Sequence, residues 1–377
     1  MTGKTTYDCI VIGVGGVGSA ALYHLARRGA KALGLDRFPP GHDRGSSHGE
    51  TRVLRQAYIE HPDYVPLAQR SYALWQELAG KRREALYTEA GFLQVGPAEG
   101  AVIQGVLESA KEHRLDVEEL SATDVERRFP AFRVPESMKG VFESRAGFLA
   151  VEACVRAHAE EAIRLSATVR SDEPALSWKA EGTGVVVTTA RGSYSAGSLI
   201  IAAGAWAPAL LAELGIPFEV RRKPLFWFAA EPSYSVSNGC PCFFFETQKG
   251  LFYGVPGIDD LGVKAAEHTG GDPVENPLEV DRGLQVEDQR RVEEFLEAHL
   301  PGVSRALTKH VVCLYTMTQD EHFVVDRHPT NKHVAFAAGL SGHGFKFVPV
   351  LGKALAELVL EGKAQAPIGF LSAGRKS

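Results

Sequence analysis

The feature that most constrains this chain is the glycine cluster Gly13-x-Gly15-x-x-Gly18. It lies between a short apolar run, Tyr7 to Ile12, and a helix-like segment, "SAALYHLARRG", that Gly29 closes. "AKALGLD" then resumes strand character and stops at Asp36. This order is βαβ. Gly13 permits the tight turn, Gly15 lets a pyrophosphate approach the backbone, and Gly18 lets helix and strand pack closely, while the helix N-terminus attracts phosphate charge. Asp36 is placed to accept hydrogen bonds from the adenosine ribose hydroxyls. Together they predict a dinucleotide site.

Two more strand-then-glycine segments decide which dinucleotide. "GVVVTTARGSYSAGSLIIAAGAWA" reads as a hairpin, Val185 to Thr189 with its turn at Arg191-Gly192, followed by a buried strand from Leu199 to Ala203. "HVAFAAGLSGHGFKFVPVLGKALAELVLEG" reads as a strand from Val334 to Ala338, a loop with three glycines and an amphipathic helix ending at Gly362. Three dispersed segments converging on one nucleotide fold favour FAD over NAD, which one contiguous unit usually serves. The expected class is α/β: a discontinuous, Rossmann-like FAD-binding domain (1–85, 145–218 and 311–377) with an α+β substrate domain (86–144 and 219–310) on a mainly antiparallel sheet. "RRKPLFWFAAEP" and "PCFFFETQKGLFYGVPG" look like strands of that sheet, with their aromatics read as sheet core. Residues 64–79 and 286–300 carry apolar positions at helical spacing and read as packing helices.

Composition excludes several other classes. Lys and Arg number 41 against 46 Asp and Glu, a net charge of −5, so no basic footprint points to nucleic acid or an anionic membrane. No apolar run reaches the roughly 18 residues of a membrane span, and "YDCIVIG" reads as a strand rather than a signal-peptide core. Five cysteines in so long a chain make no disulfide framework, which fits a cytoplasmic protein. Ser341, in Gly339-Leu340-Ser341-Gly342-His343, lacks the final glycine of a nucleophile elbow. Zincin, Walker and paired CxxC motifs are absent, and Cys240-Pro241-Cys242 is too short for the usual zinc spacing, so no metal is expected.

Three constellations remain. In "GSSHGETRVLR", Arg52 and Arg55 are i, i+3, so on one helical turn they would share a face and could address one carboxylate; His48 stands nearby. The other reading is a solvated basic face. In "VKAAEHTGG", Lys264 and His268 are i, i+4 if helical or on one side if extended with a bulge. Cys313 ends an apolar strand beside Tyr315, Thr316 and Thr318, by default a buried core thiol. Arg221-Arg222-Lys223 forms a basic step, read as solvated rather than as an entrance feature.

"GSSHGETRVLR", "GLFYGVPG", "VKAAEHTGG", "CLYTMTQDEHFVVDRHP" and "GLSGHGFKF" occur in the order and spacing of one family. From Tyr7 to about Phe370 the chain resembles the sarcosine oxidase group of the D-amino-acid-oxidase-like flavoenzymes, alongside N-methyltryptophan and pipecolate oxidases. Ser47, where relatives often carry a second histidine, and Glu50, in place of an aspartate, depart from its pattern.

The resemblance implies FAD tethered covalently through Cys313, and oxidation of an N-methyl or other secondary amino acid. Hydride would pass from the carbon beside nitrogen to flavin N5, the imine would hydrolyse, and O2 would become H2O2. It assigns Arg55 and Lys346 to the substrate carboxylate and Lys264 to oxygen reduction. Arg52, His48, Tyr253 and His268 become active-site positions. The loop with Gly342, His343, Gly344 and Lys346 would aim backbone amides at the flavin pyrimidine. Partners are then a small amino acid and O2, and the family's habit is a monomer. Open alternatives are N-methyltryptophan or pipecolate specificity, a dehydrogenase with an acceptor other than O2, and a non-catalytic flavin-binding protein.

Overall fold

The computed structural model describes residues 6–375. Strand β1, Thr6–Ile12, lies mid-sheet, paired in parallel with β2, Ala32–Leu35, on one side and with the strand Gly192–Ile201 on the other. Between β1 and β2 the chain crosses over through helix α1, Gly16–Arg27, whose buried residues are mainly small or aliphatic, with Tyr23 and His24 the exceptions. The sheet has eight strands; the parallel strand Val334–Ala338 joins it beside Gly192–Ile201, and antiparallel strands extend both segments outward. The segment expected as a separate strand at Leu199–Ala203 is the second half of one strand beginning at Gly192, with the hairpin turn at Ala190-Arg191. A continuous strand wins because its first half pairs with Gly184–Thr189 and its second half with β1 and Val334–Ala338.

Helix α1 is covered by the helices Val151–Arg164 and Val348–Leu360. A Cβ at Gly352 would stand 2.6 Å from Ala20 Cβ, so glycine there lets two helix axes come close.

A second eight-stranded sheet carries the aromatic segments. Of its seven ladders only one is parallel, between Cys242–Thr247 and Phe92–Pro97. Phe243, Phe245 and Phe252 pack on Phe295 of the helix Val286–His299, with Phe252 and Phe295 stacked at 4.6 Å, so most of this aromatic content is core. Phe244 points to the other face, as alternation requires. The long strand Val303–Met317 pairs with Glu219–Ala230 throughout and carries this sheet through position 311, where the sequence suggested a change of domain.

A three-stranded sheet lies between these layers. Its first strand is Thr51–Leu54, antiparallel to Gly147–Ala150. Arg52 is therefore on a strand rather than a helical turn. The four-residue cross-strand ladder outweighs the three-residue spacing that suggested helix. Lys264 is likewise on a strand, Val263–Glu267, and His268 follows it. Among the described residues no helix is long and apolar enough to cross a membrane.

A Cβ at Gly18 would lie 1.7 Å from the carbonyl oxygen of Gly13. Gly18→Ala must push α1 off the turn, and overpacking of this kind costs about 3 kcal/mol. The expected outcome in thermal unfolding is a Tm lowered by several degrees; an unchanged Tm would show that the turn yields freely.

Candidate functional site

Two cavities meet where the layers join. The larger encloses about 1240 Å³ of empty space and runs from Gly13, Gly15 and Asp36, past Ala203 and Trp206, to Gly342 and Phe345. Gly15 caps α1 with no side chain, leaving the helix N-terminus open toward this cleft. The Asp36 carboxylate accepts hydrogen bonds from the Val14 and Phe38 amides, while burial pushes its pKa up. Gly13, with φ +89°, would place a Cβ 2.5 Å from the Ala202 carbonyl oxygen. This is a cradle for an extended ligand with phosphates at the helix end, and the residues present fit a dinucleotide.

The smaller cavity, about 570 Å³, shares Arg52, Tyr315, Gly342 and Phe345 with the first. Its other walls include Arg55, Glu60, Tyr253, His268 and Lys346, with Phe92 and Phe244 behind. Arg55 emerges just after the strand that carries Arg52, so both arginines reach this cavity by a route other than a shared helical face. Arg55 donates to the Ala57 carbonyl and pairs with Glu60 at 3.2 Å, lying 4.3 Å over the Tyr58 ring. Lys346 donates to the His343 carbonyl at 2.8 Å. Burial, reinforced by Arg55 and opposed by Glu60, draws its pKa down to about 7. Burial alone would raise Glu60, but His343, Arg55 and Lys346 hold it down at about 2.

Arg52 is the hinge between the cavities. It donates to the Thr51 carbonyl at 2.8 Å, to the Ser46 carbonyl at 3.1 Å and to Cys313 Sγ at 3.1 Å. The Cys313 thiol, fully buried, itself donates to the Ser46 carbonyl at 3.4 Å. Lys264 lines neither cavity: its ammonium is held by Gly49 O at 2.7 Å, Thr51 O at 2.8 Å and Thr51 Oγ1 at 3.2 Å, and burial draws its pKa well down. His48 also lies behind the walls, pushed down to about 3 by burial and then by Arg52 and Arg282. His268 faces the smaller cavity with Nδ1 3.4 Å from the Tyr315 hydroxyl, its pKa lowered to about 3 by burial and then by Lys223.

The glycine loop is more engaged than the sequence suggested. The amides of Ser341 and His343 are bonded to the Thr316 and Leu340 carbonyls, so the loop offers a ligand fewer donors. His343 turns its ring to the smaller cavity, between the Tyr58 hydroxyl and the Glu321 carbonyl. At Gly342, φ +80°, a Cβ would stand 2.2 Å from the Tyr315 ring. Ser47, which departs from the family pattern, accepts from the Gly16 amide at 3.2 Å, and Glu50 pairs with Lys309.

Sequence reasoning missed Glu60, Phe244 and Tyr315 as wall residues. Glu60 carried a faint signal, an acid five residues after Arg55; the other two read as core or strand. The step Arg221-Arg222-Lys223, expected to be solvated, is mostly buried: Arg222 is 4% exposed and Lys223 2%. Arg222 bonds the Asp281 and Gly283 carbonyls and pairs with Asp288, so internal partners replace water.

Comparison with known proteins shows the family and the fold. The family described as FAD dependent oxidoreductase (DAO) matches residues 8–358. Monomeric sarcosine oxidase of Arthrobacter sp. (strain TE1826) is 40% identical, covering 100% of this chain and 98% of its own. N-methyl-L-tryptophan oxidase of Salmonella agona (strain SL483) is 38% identical, covering 94% of this chain and 95% of its own. Among solved structures, NikD, an unusual amino acid oxidase essential for nikkomycin biosynthesis, aligns with a TM-score of 0.86 at 26% identity over 97% of both chains. Glycine oxidase from Geobacillus kaustophilus shares the fold, with a TM-score of 0.82 at 19% identity over 99% of both.

With Lys346 poised near pH 7, a bound carboxylate should raise its pKa and draw in a proton. Calorimetry of acetate binding in two buffers of different ionisation enthalpy should show net proton uptake at pH 8 and little at pH 6, where the amine is already charged. Lys346→Met should abolish the difference; equal uptake at both pH values would refute this role.

Proposed function

The chain belongs to the FAD dependent oxidoreductase family, and we propose that it is an FAD-dependent oxidase of N-methyl or other secondary amino acids, of the sarcosine oxidase kind. The observation that carries this reading is the pair of joined cavities: a dinucleotide cleft opening at Arg52, Tyr315 and Gly342 into a small chamber with two convergent cations, Arg55 and Lys346. Bound FAD supplies two-electron oxidation of the substrate's carbon–nitrogen bond and passes the electrons to O2, giving H2O2. The protein supplies orientation and charge.

In this reading Arg55 and Lys346 hold the substrate carboxylate and fix which C–H bond faces the cleft. His268 is neutral at physiological pH, because burial and Lys223 lower its pKa. Its neutral ring can accept a hydrogen bond from the substrate ammonium, with Tyr315 steadying it. Phe92, Phe244 and Tyr253 shape the chamber and exclude water. Arg52 and Lys264 place positive charge beside the end of the cleft, where reduced oxygen gathers negative charge. His48 lies in the same charged layer and tunes it from behind the wall.

FAD is tethered through Cys313. The supporting geometry is its place just before Leu314 and Tyr315, which line the dinucleotide cleft, with its sulfur 3.1 Å from the Arg52 guanidinium. The likeness to the monomeric sarcosine oxidases supports a monomer, and with Cys313 given to FAD the four remaining cysteines, none in a disulfide, suit the reducing cytoplasm.

A panel of sarcosine, N-methyltryptophan and pipecolate, added anaerobically, should bleach the flavin spectrum and, in air, yield H2O2. Bleaching without peroxide would move the enzyme to another electron acceptor, and no bleaching with any N-alkyl amino acid would sink the proposal. In a separate experiment, acid precipitation should carry the yellow colour into the pellet, and Cys313→Ser should release it to the supernatant. Colour in the wild-type supernatant would remove the tether.

A further inference from the structure

Lys223, in the basic step on the strand Glu219–Ala230, lines neither cavity, yet it is buried beside the site. Its register partner on the next strand is Cys313, and its ammonium lies 5.1 Å from the centre of the Tyr315 ring. The three ammonium protons go to three successive main-chain carbonyls: His268 O at 3.0 Å, Thr269 O at 2.7 Å and Gly270 O at 3.2 Å. That saturates the donors of a lysine. The turn wraps closely around the side chain, since a Cβ at Gly271, φ +98°, would stand 2.9 Å from Lys223 Cδ.

We infer that Lys223 is a positioning residue for the substrate chamber, fixing the His268–Gly270 turn and thereby holding the buried His268 ring where it accepts a hydrogen bond from the substrate amine. This rests on the proposed role of His268.

The groups around that ring come from several elements. Tyr315 reaches it from the long strand and Tyr253 from the strand before it, while Phe244 packs edge-on. Glu60 faces it from the segment after Arg55, and His343 and Lys346 from the glycine loop; Arg52 and Arg55 share its chamber. Glu60 favours the imidazolium; His343 and Lys346 oppose it, and Lys223 opposes it most among the charges. Removing the Lys223 charge and freeing the turn should therefore let the ring rehydrate and titrate nearer its ordinary value of about 6.5.

The test compares flavin-loaded wild type with Lys223→Met, which loses charge and donors, and Lys223→Gln, which loses the charge and keeps an amide donor. Sarcosine affinity is read from anaerobic bleaching at pH 7 and pH 5. In both variants the ratio of the two affinities should rise at least about threefold over wild type, because a protonated His268 rejects the ammonium. In a His268→Gln background, Lys223→Gln should leave the ratio unchanged. A lowered Tm with an unchanged ratio would show a merely structural lysine and overturn the inference. NMR titration of the His268 ring, assigned by difference from His268→Gln, asks the same question without substrate. A failure of all substrates to bleach wild type would refute the proposed reaction, whereas a ring pKa that does not rise in Lys223→Gln would refute the role of Lys223.

Discussion

Buried positive charge is the constraint around which the rest of this structure is arranged. Arg52, Arg55, Lys223, Lys264 and Lys346 all lie near the junction of the sheets, and among the described residues Glu60 is the only carboxylate in the wall of the smaller cavity. A cation taken out of water needs compensation, and here main-chain carbonyls provide it. Arg52 binds the carbonyls of Ser46 and Thr51, Arg55 that of Ala57, Lys264 those of Gly49 and Thr51, and Lys346 that of His343. Carbonyl dipoles stabilise the charges without cancelling them. The lysines respond as desolvation requires: Lys346 is drawn down to about 7, Lys223 to about 8 and Lys264 well down. A chamber built this way favours an anion and keeps a neighbouring histidine neutral.

The same constraint dictates where chain segments must cross. The segment from Gly45 to Glu60 leaves the cofactor sheet after β2, contributes the short strand Thr51–Leu54, and supplies two of the cations and four of the carbonyls that hold them. Glu152 fixes its tight turn from below by accepting from the Gly49 and Glu50 amides. The second sheet brings Lys223, Lys264 and Cys313 from three adjacent strands, whose antiparallel register fixes their relative heights. Neither layer holds the site alone, and the seam between them is the site.

How much of this was legible depended on whether a residue acts through local spacing or through distant contact. Gly13, Gly15, Gly18 and Asp36 announce their roles because a turn, a helix start and a strand end lie within thirty residues of one another. Helix Tyr64–Ala79 and strand Val334–Ala338 fall where periodicity placed them. Spacing misled at Arg52 and Arg55, where a ladder to Gly147–Ala150, some ninety residues away, outweighed the local pattern. It misled again at Lys223, since nothing in a run of three basic residues reveals that a turn forty-five residues later will supply carbonyls. Phe244 sits in an aromatic run whose neighbours are core, and only the sheet's alternation turns it toward the chamber.

The sequence by itself determined the dinucleotide fold, the α/β class with its mainly antiparallel second sheet, and the family to which the chain belongs, because those rest on glycines and apolar periods that act locally. The tertiary structure alone decided which cations face a ligand and which stand behind the wall. Arg55 and Lys346 line the smaller chamber, while Lys264 and Lys223 are spent on carbonyls. The physical reason is that a buried charge is defined by its desolvation and its partners, and here both come from segments far apart in the chain.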